Sequence, residues 1–263
     1  AFPVGVIAAM VGVGGGIFIV PLLTLIYSFE PQEAIGTSLA MIIFTSIFST
    51  ISYSRQKRID YKVGSVLSIA TIPGAIVGAL VANVINPAQL GLIFGIFLIF
   101  VALRMLITYN FGKQQSKKTD KLWQRKIIDS AGTAFEYSSD LRMGFPLSFF
   151  GGFFSGLLGI GGGVIMVPLM HFLMDFPIHL AVATSMFTMI FTSLAGAAMH
   201  FTLGNVHLEY MILLCIGIIF GTQVGAYASK RISGKNLRRI FGVIVILVSI
   251  LMIQKYLNQL GLI

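Results

Sequence analysis

Apolar runs separated by short polar breaks occupy most of the chain. In the first half the runs cover about 3–29, 35–54, 63–84 and 88–108, and in the second about 146–175, 180–202, 208–229 and 236–256. Each is near the roughly 20 apolar residues that a helix needs to cross a bilayer. The pattern predicts an all-α polytopic membrane protein.

The eight runs form two sets of four. Shifting residues 5–105 by 147 positions lays them on 152–252 without a gap, with roughly 30 of about 100 positions identical. This is an internal duplication of the kind found in transporters. Gly12, Gly14, Gly15, Gly16 and Pro21 fall on Gly159, Gly161, Gly162, Gly163 and Pro168. Thr37-Ser38 fall on Thr184-Ser185, and Phe44-Thr45-Ser46 on Phe191-Thr192-Ser193. Gly74, Val77 and Gly78 match Gly221, Val224 and Gly225, and Phe94-Gly95 match Phe241-Gly242. The expected domains are a first repeat over 1–108, a basic connector over 109–144 and a second repeat over 145–263. In the connector, Trp123, Ile127, Ala131 and Ala134 recur at helical spacing. It reads either as an amphipathic helix on the membrane surface or as a basic loop carrying Lys113, Lys117, Lys118, Lys121, Arg125, Lys126 and Arg142.

Loop charge orients the repeats. The loop between runs two and three carries Arg55, Lys57, Arg58 and Lys62, whereas its counterpart FTLGNVHLE carries no Lys or Arg. The next loop reverses this: NVINPAQ is uncharged, and KRISGKNLRR carries Lys230, Arg231, Lys235, Arg238 and Arg239. Cationic short loops stay in the cytoplasm, so the halves are expected to be inverted relative to each other. Inversion requires an odd number of crossings per half, and the glycine-bearing first run is the one to remove. Residues 4–13 and 17–29 are each only half a bilayer long at 1.5 Å per residue. The expected fold is two inverted repeats, each a re-entrant or broken helical hairpin plus three spans. The hairpins fold back at Gly14-Gly15-Gly16 and Gly161-Gly162-Gly163, with the connector cytoplasmic. The competing reading is a broken helix that crosses, giving eight spans and parallel halves.

The chemistry expected of the breaks follows from the backbone. A half-helix begins after each glycine triplet, and its first turn presents unpaired N–H groups and the positive end of the helix dipole, which together form an anion site. Gly14, Gly15, Gly16, Gly161, Gly162 and Gly163 are therefore expected at the substrate, although glycines of this kind also serve close helix packing. Thr37, Ser38, Thr184 and Ser185 open the following spans. Ser46 and Ser193 lie two turns deeper on the same faces as Ser38 and Ser185. Their hydroxyls either donate to an oxyanion or bond to helix carbonyls. Gln223, standing where the first repeat has Ile76, is a polar residue present once and is expected to make the cavity asymmetric. Neither glycine run is a Walker loop, because no Lys-Ser/Thr follows, and the apolar context excludes a Rossmann site.

Composition narrows the class further. The chain has 263 residues, 56% of them hydrophobic and only 10% charged, with a mean hydropathy of +0.92. Soluble domains carry about 25% charged residues. The net charge of +9 lies mostly in connecting segments, where it sets topology and meets lipid headgroups rather than nucleic acid. One cysteine, Cys215, excludes an intramolecular disulfide. No metal-ligand spacing occurs among His171, His179, His200 and His207, so neither a metal nor a cofactor is expected. His171 and His200, near span ends, read as interfacial side chains. No cleavable signal sequence is apparent, and the start at Ala1 leaves room for native residues before it.

The doubled GxGGG-x4-P motif (Gly14, Gly15, Gly16 and Pro21; Gly161, Gly162, Gly163 and Pro168), each copy followed by a Thr-Ser pair (Thr37-Ser38; Thr184-Ser185), resembles the sulfite exporter TauE/SafE family. The likeness spans both repeats and omits only the connector. It implies a non-enzymatic secondary transporter of the bacterial inner membrane. The implied cargo is a small sulfur-containing anion (sulfite, sulfoacetate or a related organosulfonate) moved outward by alternating access. A passive anion channel would share every residue above. No ATP-binding element occurs in the chain. The membrane potential, negative inside, favours anion exit by about 2.3 kcal/mol per charge per 100 mV.

Overall fold

Side-chain caps set several helix starts. In α3 (Pro31–Arg55), Glu30 and Glu33 form a capping box that brackets Pro31, which occupies the first turn and has no N–H to satisfy there. Asp60 caps α4 (Tyr61–Val84) by accepting from Val63 N–H, and Asp140 caps α6 (Leu141–Leu158) through Arg142 N–H. The other helices are α1 (Phe2–Val11), α2 (Gly16–Leu25), α5 (Pro87–Leu106), α7 (Gly163–Pro168), α8 (Ile178–Thr202), α9 (Leu208–Ala228) and α10 (Lys235–Gln259). The computed structural model describes residues 2–11, 14–106, 123–228 and 235–262. Gly12, the 108/109 boundary, Lys113, Lys117, Lys118, Lys121, Lys230 and Arg231 lie outside the described residues.

Among the described residues, six helices are long and apolar enough to cross a membrane, and shorter apolar helices include Gly16–Leu25 and Gly163–Leu173. The expected half-length arms are found in α1 and α2. In the second half, however, α6 starts at Leu141 and has 18 residues, about 27 Å of helix. The Asp140 cap carries the helix through polar Arg142, beyond the apolar run. After Pro168, which lacks an N–H, the helix widens into a π turn over Leu169–Leu173.

Glycines set how closely the helices approach. A Cβ added at Gly74 or Gly78 of α4 would lie 2.2 or 2.0 Å from Phe149 O or Phe153 O of α6. One added at Gly221 or Gly225 of α9 would lie 2.2 or 2.1 Å from Phe2 O or Val6 O of α1. The second set is the first shifted by 147 positions, and both place backbone directly against backbone. The order of contacts gives directions. Gly95 meets Ile253 and Gly242 meets Leu106, so α5 and α10 run antiparallel. Gly36 meets His200 and Leu39 meets Gly196, so α3 and α8 are antiparallel too. Gly78→Ala is expected to lower stability by about 1–3 kcal/mol by forcing α4 from α6, measured as thermal unfolding in detergent.

The described part of the connector is neither a surface helix nor a loop. Trp123–Ile128 (β1) and Ala134–Ser139 (β2) pair antiparallel, with Ile128 opposite Ala134. The turn chemistry overrides the helical spacing of Trp123, Ile127, Ala131 and Ala134: Asp129 Oδ1 accepts from Ala131 N–H and Thr133 N–H at 2.9 and 3.0 Å, and Gly132 takes φ +82°. The hairpin is anchored to the α3–α4 loop. Arg58 Nη2 lies 2.9 Å from Asp129 Oδ2, and Ser130 N–H donates to Gln56 O at 3.0 Å. Buried Asp60 accepts from Arg125 Nε and Nη2 at 2.9 and 3.0 Å, and from Tyr137 Oη at 2.5 Å. The Tyr137 ring packs on Phe176, centroids 4.4 Å apart, just before α8. Burial raises the Asp60 pKa, but bonds from Arg125, Tyr137 and Val63 N–H outweigh it and hold the carboxyl below its ordinary value.

Candidate functional site

The two helix breaks meet. Gly14 and Gly15 take φ +75° and +93°, and Gly161 and Gly162 take +72° and +84°, conformations that disfavour any side chain. Gly15 and Gly162 are the N-caps of α2 and α7, so Gly16 and Gly163 open the helices that follow. In α2 the helical bonding begins with Phe18 N–H and Ile19 N–H donating to Gly15 O; in α7 it begins with Ile165 N–H and Met166 N–H donating to Gly162 O. The N–H groups of Gly16, Ile17, Gly163 and Val164 are thus left without an intrahelical acceptor. A Cβ at Gly16 would lie 2.1 Å from Gly159 O, so the breaks abut backbone to backbone although 143 positions separate these residues. Gly14 and Gly161 share neighbours: each faces Ile42 of α3 and Met189 of α8.

The hydroxyls singled out by sequence are buried, and each engages backbone. Thr37 Oγ1 accepts from His207 N–H at 3.0 Å, just before α9, and Thr184 Oγ1 accepts from Asp60 N–H at 3.0 Å, just before α4. Each threonine therefore ties the start of one helix to a loop in the other half. Ser38 Oγ donates to Gly159 O at 2.8 Å, joining α3 directly to the second break. Ser185 and Ser46 donate to Val182 O and Ile43 O at 2.9 Å, and Ser193 donates to Met189 O, all within their own helices. Gln223 is not drawn into the centre. It lies exposed on α9, accepting from Ser52 Oγ at 2.7 Å and donating to Phe48 O at 3.4 Å.

Thr45, which the repeat pattern picks out, holds a buried hydroxyl oxygen without a hydrogen-bond partner, and so do Ser49 and Thr50 of α3 and Ser155 of α6, which it does not. Ser155 matters most, since its Cβ would lie 3.6 Å from a Cβ at Gly162, beside the start of α7. The repeat could not flag it, because position 8 of the first copy is alanine. Ile42 and Met189 are an equivalent pair in the 147-residue shift, which does make them findable. The histidines read as interfacial are instead buried: His171 Nδ1 bonds Phe176 O at 2.7 Å, and His200 Nε2 bonds Gly156 O at 2.9 Å. His207 Nε2 lies 3.1 Å from Glu33 Oε1. Among the described residues, no cluster of three potential metal ligands occurs.

Among the described residues, six helices long and apolar enough to cross a membrane, with two buried backbone breaks packed among them, define a multi-pass membrane protein, since irregular backbone persists at membrane depth only when protein or a water-filled cavity surrounds it. The family model for the sulfite exporter TauE/SafE matches residues 1–252, and the chain belongs to that family, a family of transporters rather than enzymes. It is 37% identical over 251 residues to the "probable membrane transporter protein YunE" of Bacillus subtilis, covering 93% of this chain and 91% of the relative. A "probable membrane transporter protein" of Methanocaldococcus jannaschii is 30% identical over 252 residues, covering 90% and 86%. No solved structure matches the chain.

Proposed function

We propose that the protein is a secondary transporter carrying a small sulfur oxyanion or organosulfonate across the bacterial inner membrane, outward, by alternating access of two inverted repeats. The repeats are 1–108 and 145–263, joined by the cytoplasmic connector 109–144. The observation that carries this reading is the meeting of the two glycine breaks. It brings the glycine turns that lead into α2 and α7 together in a buried interior, where the partial positive charge of a helix start is least screened. The substrate is held by N–H groups at Gly16, Ile17, Gly163 and Val164 with the Ser155 hydroxyl, and without a fixed cation. Ser38 braces that centre through Gly159 O, whereas Thr37, Thr184, Ser185, Ser46 and Ser193 are engaged by loop or helix backbone rather than by the anion. Gln223 serves the edge of the bundle.

Inversion is supported by the antiparallel course of α3 with α8 and of α5 with α10, each pair related by the 147-residue shift. Eight crossings would run those pairs parallel. Single cysteines at Lys57 and Glu209, in a Cys215→Ser background, are expected to label from opposite faces of oriented vesicles; labelling from one face refutes inversion.

Function is tested by sulfite flux into proteoliposomes. Saturable flux accelerated by sulfite on the far side is expected of a carrier, whereas linear flux without counter-transport identifies a channel.

A further inference from the structure

We propose that Met189 is a retractable plug and size filter for the anion site, an inference that rests on placing the anion between the two glycine breaks. The space where those breaks meet is lined by apolar side chains. A Cβ added at Gly14 would lie 2.2 Å from Met189 Cε and 3.3 Å from Ile42 Cγ2. One added at Gly161 would lie 2.6 and 2.8 Å from the same two atoms. A single thioether methyl therefore touches both breaks at once, with Ile42 closing the other side. Both side chains are fully buried.

The two residues hold equivalent repeat positions, yet they differ in what they can do. Ile42 is β-branched and is held to one strongly preferred rotamer in a helix, so it forms a fixed wall. Met189 is unbranched with three rotatable bonds, and it adapts to its surroundings as few apolar side chains do. The polar groups of α8 do not compete for the space, since Ser185, Thr188 and Ser193 all donate to carbonyls of their own helix. A bare oxyanion against a methyl group would lose its hydration without gaining a donor. Entry therefore requires Met189 to swing aside, uncovering the first turns of α2 and α7. The room it vacates limits the size of the anion admitted, so a small sulfur anion passes more readily than a bulky aromatic sulfonate.

The test pairs flux with an observable on the side chain itself. In proteoliposomes, Met189→Ala is expected to keep saturable sulfite flux and to raise benzenesulfonate flux relative to sulfite by roughly tenfold. Met189→Ile, which copies the fixed wall, is expected to depress both. In protein labelled at methionine methyls with carbon-13, the resonance missing from Met189→Leu identifies Met189, and it is expected to shift on adding sulfite. Met189→Leu also checks folding, because it conserves volume. Suppose sulfite flux saturates and is lost in Gly162→Val, but Met189→Ala leaves size preference unchanged and sulfite leaves the Met189 methyl unmoved. The site then stands and the plug is overturned. Absence of saturable sulfite flux in the wild type overturns the site and the plug together.

Discussion

Asp60→Ala is expected to release the β1–β2 hairpin and cost about 3 kcal/mol of stability. The carboxylate is 1% exposed and satisfies four donors: two from Arg125, the Tyr137 hydroxyl and Val63 N–H. Truncation leaves Arg125 without its counter-ion and the Tyr137 hydroxyl without an acceptor, and it removes the cap of α4. Thermal unfolding in detergent measures the loss, and protease nicking within 123–139 reports the freed hairpin. A melting temperature within a degree of wild type would show that Asp60 does not anchor the hairpin. The same carboxylate sets a pH dependence. Its folded-state pKa lies below the unfolded one, so its contribution is complete above the ordinary carboxylate pKa of about 4 and is lost as pH falls through the folded value. The hairpin should hold unchanged from pH 8 to pH 5 and loosen in stronger acid.

Gly16→Ala is expected to lower sulfite flux at least roughly tenfold. Unlike Gly14 and Gly15, Gly16 does not owe its identity to positive φ, since it is the first residue of α2. Its constraint is steric: the added methyl would lie 2.1 Å from Gly159 O and 2.9 Å from Ile160 Cα, both backbone atoms that cannot turn away. The two breaks must separate, and the start of α2 moves away from Gly159 and Ile160. Initial rates of sulfite uptake at saturating sulfite provide the measurement, with the melting temperature as a check on folding. Full flux from a folded Gly16→Ala protein would show that the contact between the breaks is irrelevant to transport.

Hydropathy and the 147-residue shift made the helices and both breaks legible, because both follow from residue type and position alone. Helix starts were less legible. The apolar run suggests a beginning near 146, whereas Asp140 caps α6 from Leu141, since capping depends on one hydrogen bond rather than on mean hydropathy. The connector failed for a related reason: four apolar residues at helical spacing outvoted a single Asp129 turn that sequence periodicity does not weigh. The hydroxyls show the deeper limit. Thr37 and Thr184 stand out in the sequence as hydroxyls opening the next spans, but their partners lie 170 and 124 positions away. Nothing local distinguishes a hydroxyl that waits for an anion from one already occupied by a distant loop. Gln223 looked central because its repeat partner is apolar, yet an amide at the edge of the bundle gives the same mismatch.

The reciprocal threonine bonds also constrain how the protein is made. Asp60 N–H, at the threshold of α4, finds its acceptor on Thr184, and His207 N–H, at the threshold of α9, finds its own on Thr37. At about 5–20 residues per second, the ribosome delivers Thr184 roughly 6–25 s after Asp60. During that interval Asp60 N–H lacks this acceptor, and only the arrival of the second half of the chain supplies it. A first half severed from the second would leave Asp60 N–H without Thr184, and a second half alone would leave His207 N–H without Thr37. The two halves of the chain thus mature as one.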